Sequence, residues 1–310
     1  MALGTNHVTK TTADKFIPEI WSDEIVAAYK QNLVAANMFS KMSFKGKKGD
    51  TLHIPKPTRG AASVKAASTQ VTLIAATETE IQVLIDKHYE YSRLIEDIVE
   101  TQALSSLRKF YTDDAGYALA KQVDTDLIRL GRAVGSGTDY STAAASTNAF
   151  IGSNGTTVYN STSSNAAALA DAGIRRSIQR LDDADVPMTD RCLIVPPTTR
   201  NTLMGLARFT EQAFVGDVGS ANTIRNGMIG DLYGVTAYVS TNADTAAGSS
   251  GTDRICLLAH KDAFVLAEQM GVRSQTQYKQ EWLATLFTSD MLYGVAELRD
   301  SSAVALAVPA

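Results

Sequence analysis

The sequence predicts an α+β fold, and three observations predict it. Leu104, Leu107, Tyr111, Ala115, Leu119, Val123, Leu127, Leu130 and Val134 recur at three- and four-residue intervals, one face of a long helix. Ahead of it, Gly46, Gly49, Pro55, Pro57 and Gly60 punctuate residues 44–60 too often for helix and flank short alternating stretches. Beyond residue 165, helical and strand patterns interleave. The chain has 310 residues, 45% hydrophobic and 20% charged, as a folded protein rather than a disordered one has. Two cysteines exclude a disulfide-stapled scaffold, and a net charge of −4 argues against a generically basic nucleic-acid binder. No apolar run reaches the roughly 18–20 residues of a membrane span. Residues 1–16 lack the apolar centre of a signal peptide, so a cytoplasm-like compartment is expected.

The elements follow in order. Residues 1–20 are polar and irregular, broken by Pro18. Ser22 suits an N-cap, with Asp23 and Glu24 in a first turn, and Ile25, Tyr29, Leu33 and Ala36 continue a helix over 22–37. Leu52 and Ile54 mark one short strand. Val71, Leu73, Ile81, Val83 and Ile85 mark another over 69–85. The polar stretch 58–70 between them makes a protruding hairpin that has no core of its own. The long helix over 104–134 measures about 45 Å. Its polar side holds Arg108, Asp113, Lys121, Asp124 and Arg129, all expected to face solvent. Residues 135–165 are rich in Gly, Ser, Thr and Asn and predict an exposed insertion outside the core.

The remainder predicts a mixed α/β domain. Leu169, Ile174, Ile178 and Leu181 give a helix over 166–184. Residues 192–195 give a buried strand ended by Pro196 and Pro197, and Thr198 caps a short helix containing Leu203 and Leu206. A loop over 208–227, a strand over 235–239, a loop over 242–253 and a strand over 254–259 come next. A short stretch through Phe264 and Leu266, the segment 272–279, an alternating segment over 282–298 and a strand over 303–308 complete the series.

The chemical inventory is nearly empty. No phosphate-binding glycine loop, dinucleotide fingerprint, zinc-protease motif or serine-hydrolase elbow is present. His7, His53, His88 and His260 share no ligand spacing. Cys192 and Cys256 lie in apolar strands and read as buried, reduced thiols, and nothing supports a Cys192/His260 nucleophile pair. No catalytic, cofactor-binding or metal-binding residue is expected, and no enzyme. Charge is patterned, however. Residues 41–65 carry seven cations (Lys41, Lys45, Lys47, Lys48, Lys56, Arg59, Lys65) against Asp50, net +6. Residues 77–126 carry eleven acids against five bases, net −6. Opposite charge on a protruding loop and a long helix suggests head-to-tail pairing between copies. Two unrelated solvated faces, or a basic loop touching nucleic acid, are the alternatives.

Three stretches carry a resemblance. They are 49–62 with 81–128, CLIVPPTTRNTLM at 192–204, and GMIGDLYGVTAYVSTN at 227–242. In that order they are similar to the extended loop, spine helix, proline turn and glycine–aromatic–glycine turn of one family. The chain thus resembles the major capsid proteins of tailed bacteriophages, the HK97-like fold, podophage type. That resemblance implies an N-terminal arm with a short helix (1–44) and an extended β-hairpin loop (45–90). It implies a peripheral domain with the spine helix and polar insertion (91–165) and an axial domain (166–270). Residues 271–310 return through the peripheral domain and add a final axial strand. It further implies pentamers and hexamers of an icosahedral shell, a homo-oligomer enclosing double-stranded DNA without sequence specificity. A scaffolding protein during assembly, a portal protein at one vertex, assembly in the host cell cytoplasm and residence in the virion belong to the same picture. An encapsulin-like nanocompartment shell is the alternative. On the capsid reading Lys45, Lys47, Lys48, Lys56 and Arg59 of the loop face Glu96, Asp97, Glu100, Asp113 and Asp114 near a neighbour's spine helix.

Overall fold

The alternating stretches pair into three sheets. A computed structural model describes residues 34–46, 48–57, 60–71, 73, 78–98, 107–142, 148–206, 231–248 and 251–310. Its first strands are β1 (Ser40–Ser43), β2 (Thr51–Lys56), β3 (Thr79–Leu84), β4 (Lys87–Glu96) and β5 (Ala149–Ile151). Then come β6 (Arg191–Val195), β7 (Asp231–Leu232), β8 (Val235–Val239), β9 (Thr245–Gly248) and β10 (Gly251–His260). The series ends with β11 (Phe264–Lys279), β12 (Ala284–Glu297) and β13 (Ala303–Val308). The α-helices are α1 (Ala35–Met38), α2 (Leu107–Arg129), α3 (Asp171–Asp183) and α4 (Pro197–Met204).

A four-stranded sheet has the order β1-β11-β12-β4. Its spine is the long antiparallel β11–β12 hairpin, with β4 antiparallel along β12 from Lys87↔Tyr293 to Glu96↔Ala284. β1 lies parallel to the first residues of β11. A seven-stranded sheet has the order β5-β13-β10-β6-β8-β7, with β9 on the far part of β10. β13, AVALAV, and β6, RCLIV, are buried at every residue, which fits runs without alternation whose two faces are both covered. β2 and β3 form a separate two-stranded hairpin.

The main core lies between α2 and the two large sheets. Leu119, Val123 and Leu127 meet Phe264, Tyr293 and Leu257 there, together with Val34 and Phe39. A second core joins Ile174 and Leu181 of α3 to Leu193, Val195, Leu306 and Val308. Gly173 lets α3 reach the sheet edge, because a side chain there would overlap the Gly152 carbonyl.

Several expectations need correction. The long helix is α for 23 residues and then tightens into a 3-10 segment, Leu130–Ser136. That tightening occurs where Gly131 lies on Leu257; a Cβ there would be 2.8 Å from a leucine methyl. Asp124 does not face solvent. It is buried because α1 packs over that side of α2 and presents backbone N–H groups to it. Most of the helix expected over 22–37 lies outside the described residues; one turn, α1, is observed. Val71 and Leu73 are exposed and unpaired, since β3 starts only at Thr79.

The helix at 166–184 begins at Asp171, with Ala170 at the N-cap position. Pro196, not Thr198, occupies the N-cap of α4, with Pro197 at a position where a missing N–H costs nothing. Leu206 falls beyond that helix. The loop expected over 242–253 contains β9 and the start of β10, a hairpin. Residues 264–279 form one strand, irregular between Glu268 and Arg273. The loop expected at 208–227 lies outside the described residues.

The largest correction concerns 135–165, which is not an excluded loop. β5 pairs parallel with β13, and Tyr140, Ala149 and Tyr159 pack with Ile255, Ala305 and Ala307. Polar composition misleads here because the buried tyrosine hydroxyls find partners in distant parts of the chain. Tyr140 OH donates to Asp244 at 2.8 Å and Tyr159 OH to Asp253 at 2.7 Å.

Candidate functional site

The cysteines and histidines of the described residues are held apart from one another. No group of three or more His, Cys, Asp or Glu among them is placed to hold a metal ion. Cys192 and Cys256 are buried and unlinked, and burial pushes both thiols up to about 12. Cys192 Sγ donates to Ala259 O at 3.3 Å, while His260 Nδ1 accepts from Asp262 N at 3.1 Å. The two side chains of the notional nucleophile pair therefore serve different partners.

The structural candidates are the hairpin and the acids on and around α2. The hairpin is anchored only at its base, where Leu52, Ile54, Val83 and Ile85 meet Val265 and Ala267. Farther out, Val64 is fully exposed and Leu73 is 90% exposed. Lys45 pairs with Glu268 of its own chain at 3.1 Å. Lys48 and Lys56 are exposed. Lys47 and Arg59 lie outside the described residues. Across the hairpin, His53 Nδ1 lies 3.0 Å from Glu80. Hydrogen bonds from Gln82 and His53 hold the Glu80 carboxyl below its ordinary range.

The acids fall into two places. Glu96 is exposed at the end of β4, and Asp97 beside it accepts from Tyr278 OH at 2.7 Å. Asp113 is exposed on α2, whereas half-buried Asp114 accepts from Tyr91 OH at 2.9 Å. Arg93 Nε donates to the same Tyr91 oxygen at 3.0 Å and its guanidinium lies over the Tyr111 ring. Glu100 lies outside the described residues.

Sequence reasoning missed the buried acids that fix the frame. Asp126 receives Tyr293 OH at 2.7 Å, Gln122 Nε2 at 3.1 Å and Lys87 Nζ at 3.2 Å. Asp244 takes a two-pronged Arg132 guanidinium, both contacts at 2.7 Å, besides Tyr140. Asp290 takes Arg273 in the same fork and His88 on one oxygen. Arg273, and secondarily His88, hold the Asp290 carboxyl below its ordinary range. Such forked, charge-assisted bonds fix orientation as well as adding energy. The available signal was position: Asp124 and Asp126 flank the apolar stripe at Val123 and Leu127 rather than opposing it.

Comparison with known proteins places this arrangement. The profile of a family described as Phage capsid protein matches residues 40–307. No curated protein matches the sequence. Among solved structures, a chain titled Mycobacterium phage Che8 superposes with a TM-score of 0.73 at 24% identity, covering 94% of this chain and 97% of that one. The capsid structure of cyanophage P-SCSP1u gives 0.73 at 17% identity, covering 99% and 96%. The capsid asymmetric unit of cyanophage Pam1 gives 0.75 at 15% identity, covering 99% of both chains.

Proposed function

The chain belongs to the phage capsid protein family, and from that membership we propose that it is the major capsid subunit of a tailed phage. Its α+β architecture is the HK97-like capsid fold. Copies tile an icosahedral shell as pentamers and hexamers, and the protein's place is the virion. The observation that carries this reading is the extent of the match: the family profile spans 40–307 and the capsid structures align over almost the whole chain. Assembly takes place in the host cell cytoplasm with a scaffolding protein. A portal protein occupies one vertex, and packaged double-stranded DNA is enclosed without sequence specificity. A net charge of −4 suits a wall along which DNA slides rather than sticks. The protein's work is mechanical, not enzymatic.

The hairpin supports a contact between copies. It leaves the body with little core of its own, and its lysines Lys48 and Lys56 are exposed. In the shell Lys45, Lys47, Lys48, Lys56 and Arg59 face Glu96, Asp97, Glu100, Asp113 and Asp114 of a neighbour. Single exposed ion pairs are worth only about 0–1 kcal/mol, but a shell repeats each contact in every subunit. Electron microscopy of the chain co-expressed with its scaffolding protein tests the reading. Closed icosahedral particles are the expected result. A strictly monomeric species at high concentration with the scaffold present overturns it.

A further inference from the structure

Asp124 is a buried carboxylate whose compensation comes from neutral N–H groups. Its relative exposure is 0%, and among the described residues no cation lies within ion-pair distance of it. Oδ1 accepts Val34 N at 3.0 Å and Ala35 N at 2.7 Å, where the N-terminal arm joins the body. Oδ2 accepts Asn242 Nδ2 at 2.9 Å. Asn242 lies in the turn between β8 and β9. There it is also held by Thr125 of α2, whose Oγ1 is 3.1 Å from Asn242 Oδ1 and 3.0 Å from its Nδ2. The same turn is fixed to the end of the helical run by the Arg132–Asp244 fork. One carboxylate is thus shared by three segments distant in sequence: the arm root, α2 and a turn of the seven-stranded sheet.

Removing one donor from a buried carboxyl leaves an oxygen unsatisfied at its full desolvation cost, which rearrangement of the group and its remaining partners can relieve. The other contacts of the arm root do not involve the turn. Ala35 and Phe39 pack in the main core, and the Phe39 ring meets Phe264 edge-on at 4.9 Å. No hydrogen bond among the described residues links Asn242 to the arm directly. The path between them runs through Asp124.

We propose that Asp124 is a relay that couples the position of the 240–245 turn to the backbone at Val34 and Ala35. A shift of the seven-stranded sheet against α2 pulls on Asn242, moves or weakens the Asp124 carboxylate, and so loosens or redirects residues 34 and 35. The relay goes beyond the capsid reading and does not depend on it, because it resides in one chain.

Amide hydrogen exchange on the unassembled full-length subunit tests it, comparing wild type with N242A and D124N. N242A touches neither amide, yet is expected to speed exchange at Val34 and Ala35 about tenfold or more. Leu127 in α2 and Cys256 in β10 serve as controls and should stay as protected as before. D124N keeps an acceptor oxygen without the charge and should expose the same two amides at least as much. If N242A leaves Val34 and Ala35 protected while D124N exposes them, Asp124 is only an anchor and the relay is overturned. An increase shared by the two controls is general loosening and overturns it too. Should D124N fail to fold, N242A alone decides, since Asn242 is only half-buried. Failure to form shells bears on the capsid reading alone.

Discussion

The β2–β3 hairpin and the segment 148–165 are both built largely from small and polar residues, yet they end in opposite environments. The hairpin keeps a thin apolar base and sends Val64 and Leu73 into solvent. The segment 148–165 pairs β5 with β13, and Tyr159 inserts with no exposed surface. The difference is the tyrosine. A phenol brings apolar area and one donor, and in this region each donor finds a buried acid, Asp253 for Tyr159 and Asp244 for Tyr140. The hairpin residues 45–84 contain no tyrosine and no cysteine, and their buried contacts among the described residues are aliphatic ones at the base.

Four experiments break or sharpen that contrast, ordered by their effect on the single subunit. Tyr159→Ala removes a buried ring and strands Asp253, so it should cost about 3–5 kcal/mol in thermal or urea melts of the unassembled subunit. A Val64→Ser, Leu73→Ser pair in the hairpin should stay within about 0.5 kcal/mol of wild type. Equal losses from the two sets would erase the distinction.

Tyr140→Phe keeps the ring and deletes only the hydroxyl that donates to Asp244. A loss of about 1.5–3 kcal/mol is expected, the range for a bond to a charged group. A neutral result would mean that Arg132 alone satisfies the acid.

The third experiment uses alkaline pH. Cys192 and Cys256 ionise near 12 in the folded chain against an ordinary value of 9.0. Burial likewise raises Tyr140 and Tyr159 above 10.0. Each folded value lies above the unfolded one, so the stabilising contribution is complete below about pH 9 and is lost as pH rises toward 12. Urea midpoints should therefore fall through this window, and Cys192→Ala with Cys256→Ala should flatten the fall. At neutral pH that pair should cost about 1–2 kcal/mol per site in packing and leave assembly near normal. A midpoint that does not change with pH across that window would contradict this account.

The smallest effect on the subunit belongs to the hairpin charges. Reversing Lys47 and Lys48 to Glu should leave the monomer's melting temperature almost unchanged while weakening shell assembly. Raised salt should weaken wild-type assembly as well. If empty shells form normally and only DNA-filled ones fail, the lysines serve the packaged DNA rather than a neighbouring subunit.

The parts of the fold visible in the sequence are those governed by a simple period. The α2 stripe at Ala115, Leu119, Val123 and Leu127 is buried, and the unalternating runs at 192–195 and 303–308 form buried strands. Composition failed where polar groups were satisfied by distant partners. Nothing near Tyr159 in sequence announces Asp253, 94 residues on, and nothing near Asp124 announces Val34. The extended loop was legible from its prolines and glycines. The contacts at its base were not, because Val265 and Ala267 lie about 180 residues beyond Val83 and Ile85 in sequence.

The placement of β13 has a consequence for how the subunit is made. It lies between β5 and β10, joined to both, although the other described strands precede it in chain order. While the chain is still on the ribosome, β5 and β10 face a gap, and each offers an open edge in place of a closed sheet. The gap fills only when residues 303–308 emerge. A prematurely released chain therefore lacks the strand that joins the 148–165 region to the rest and presents no finished subunit to a growing lattice.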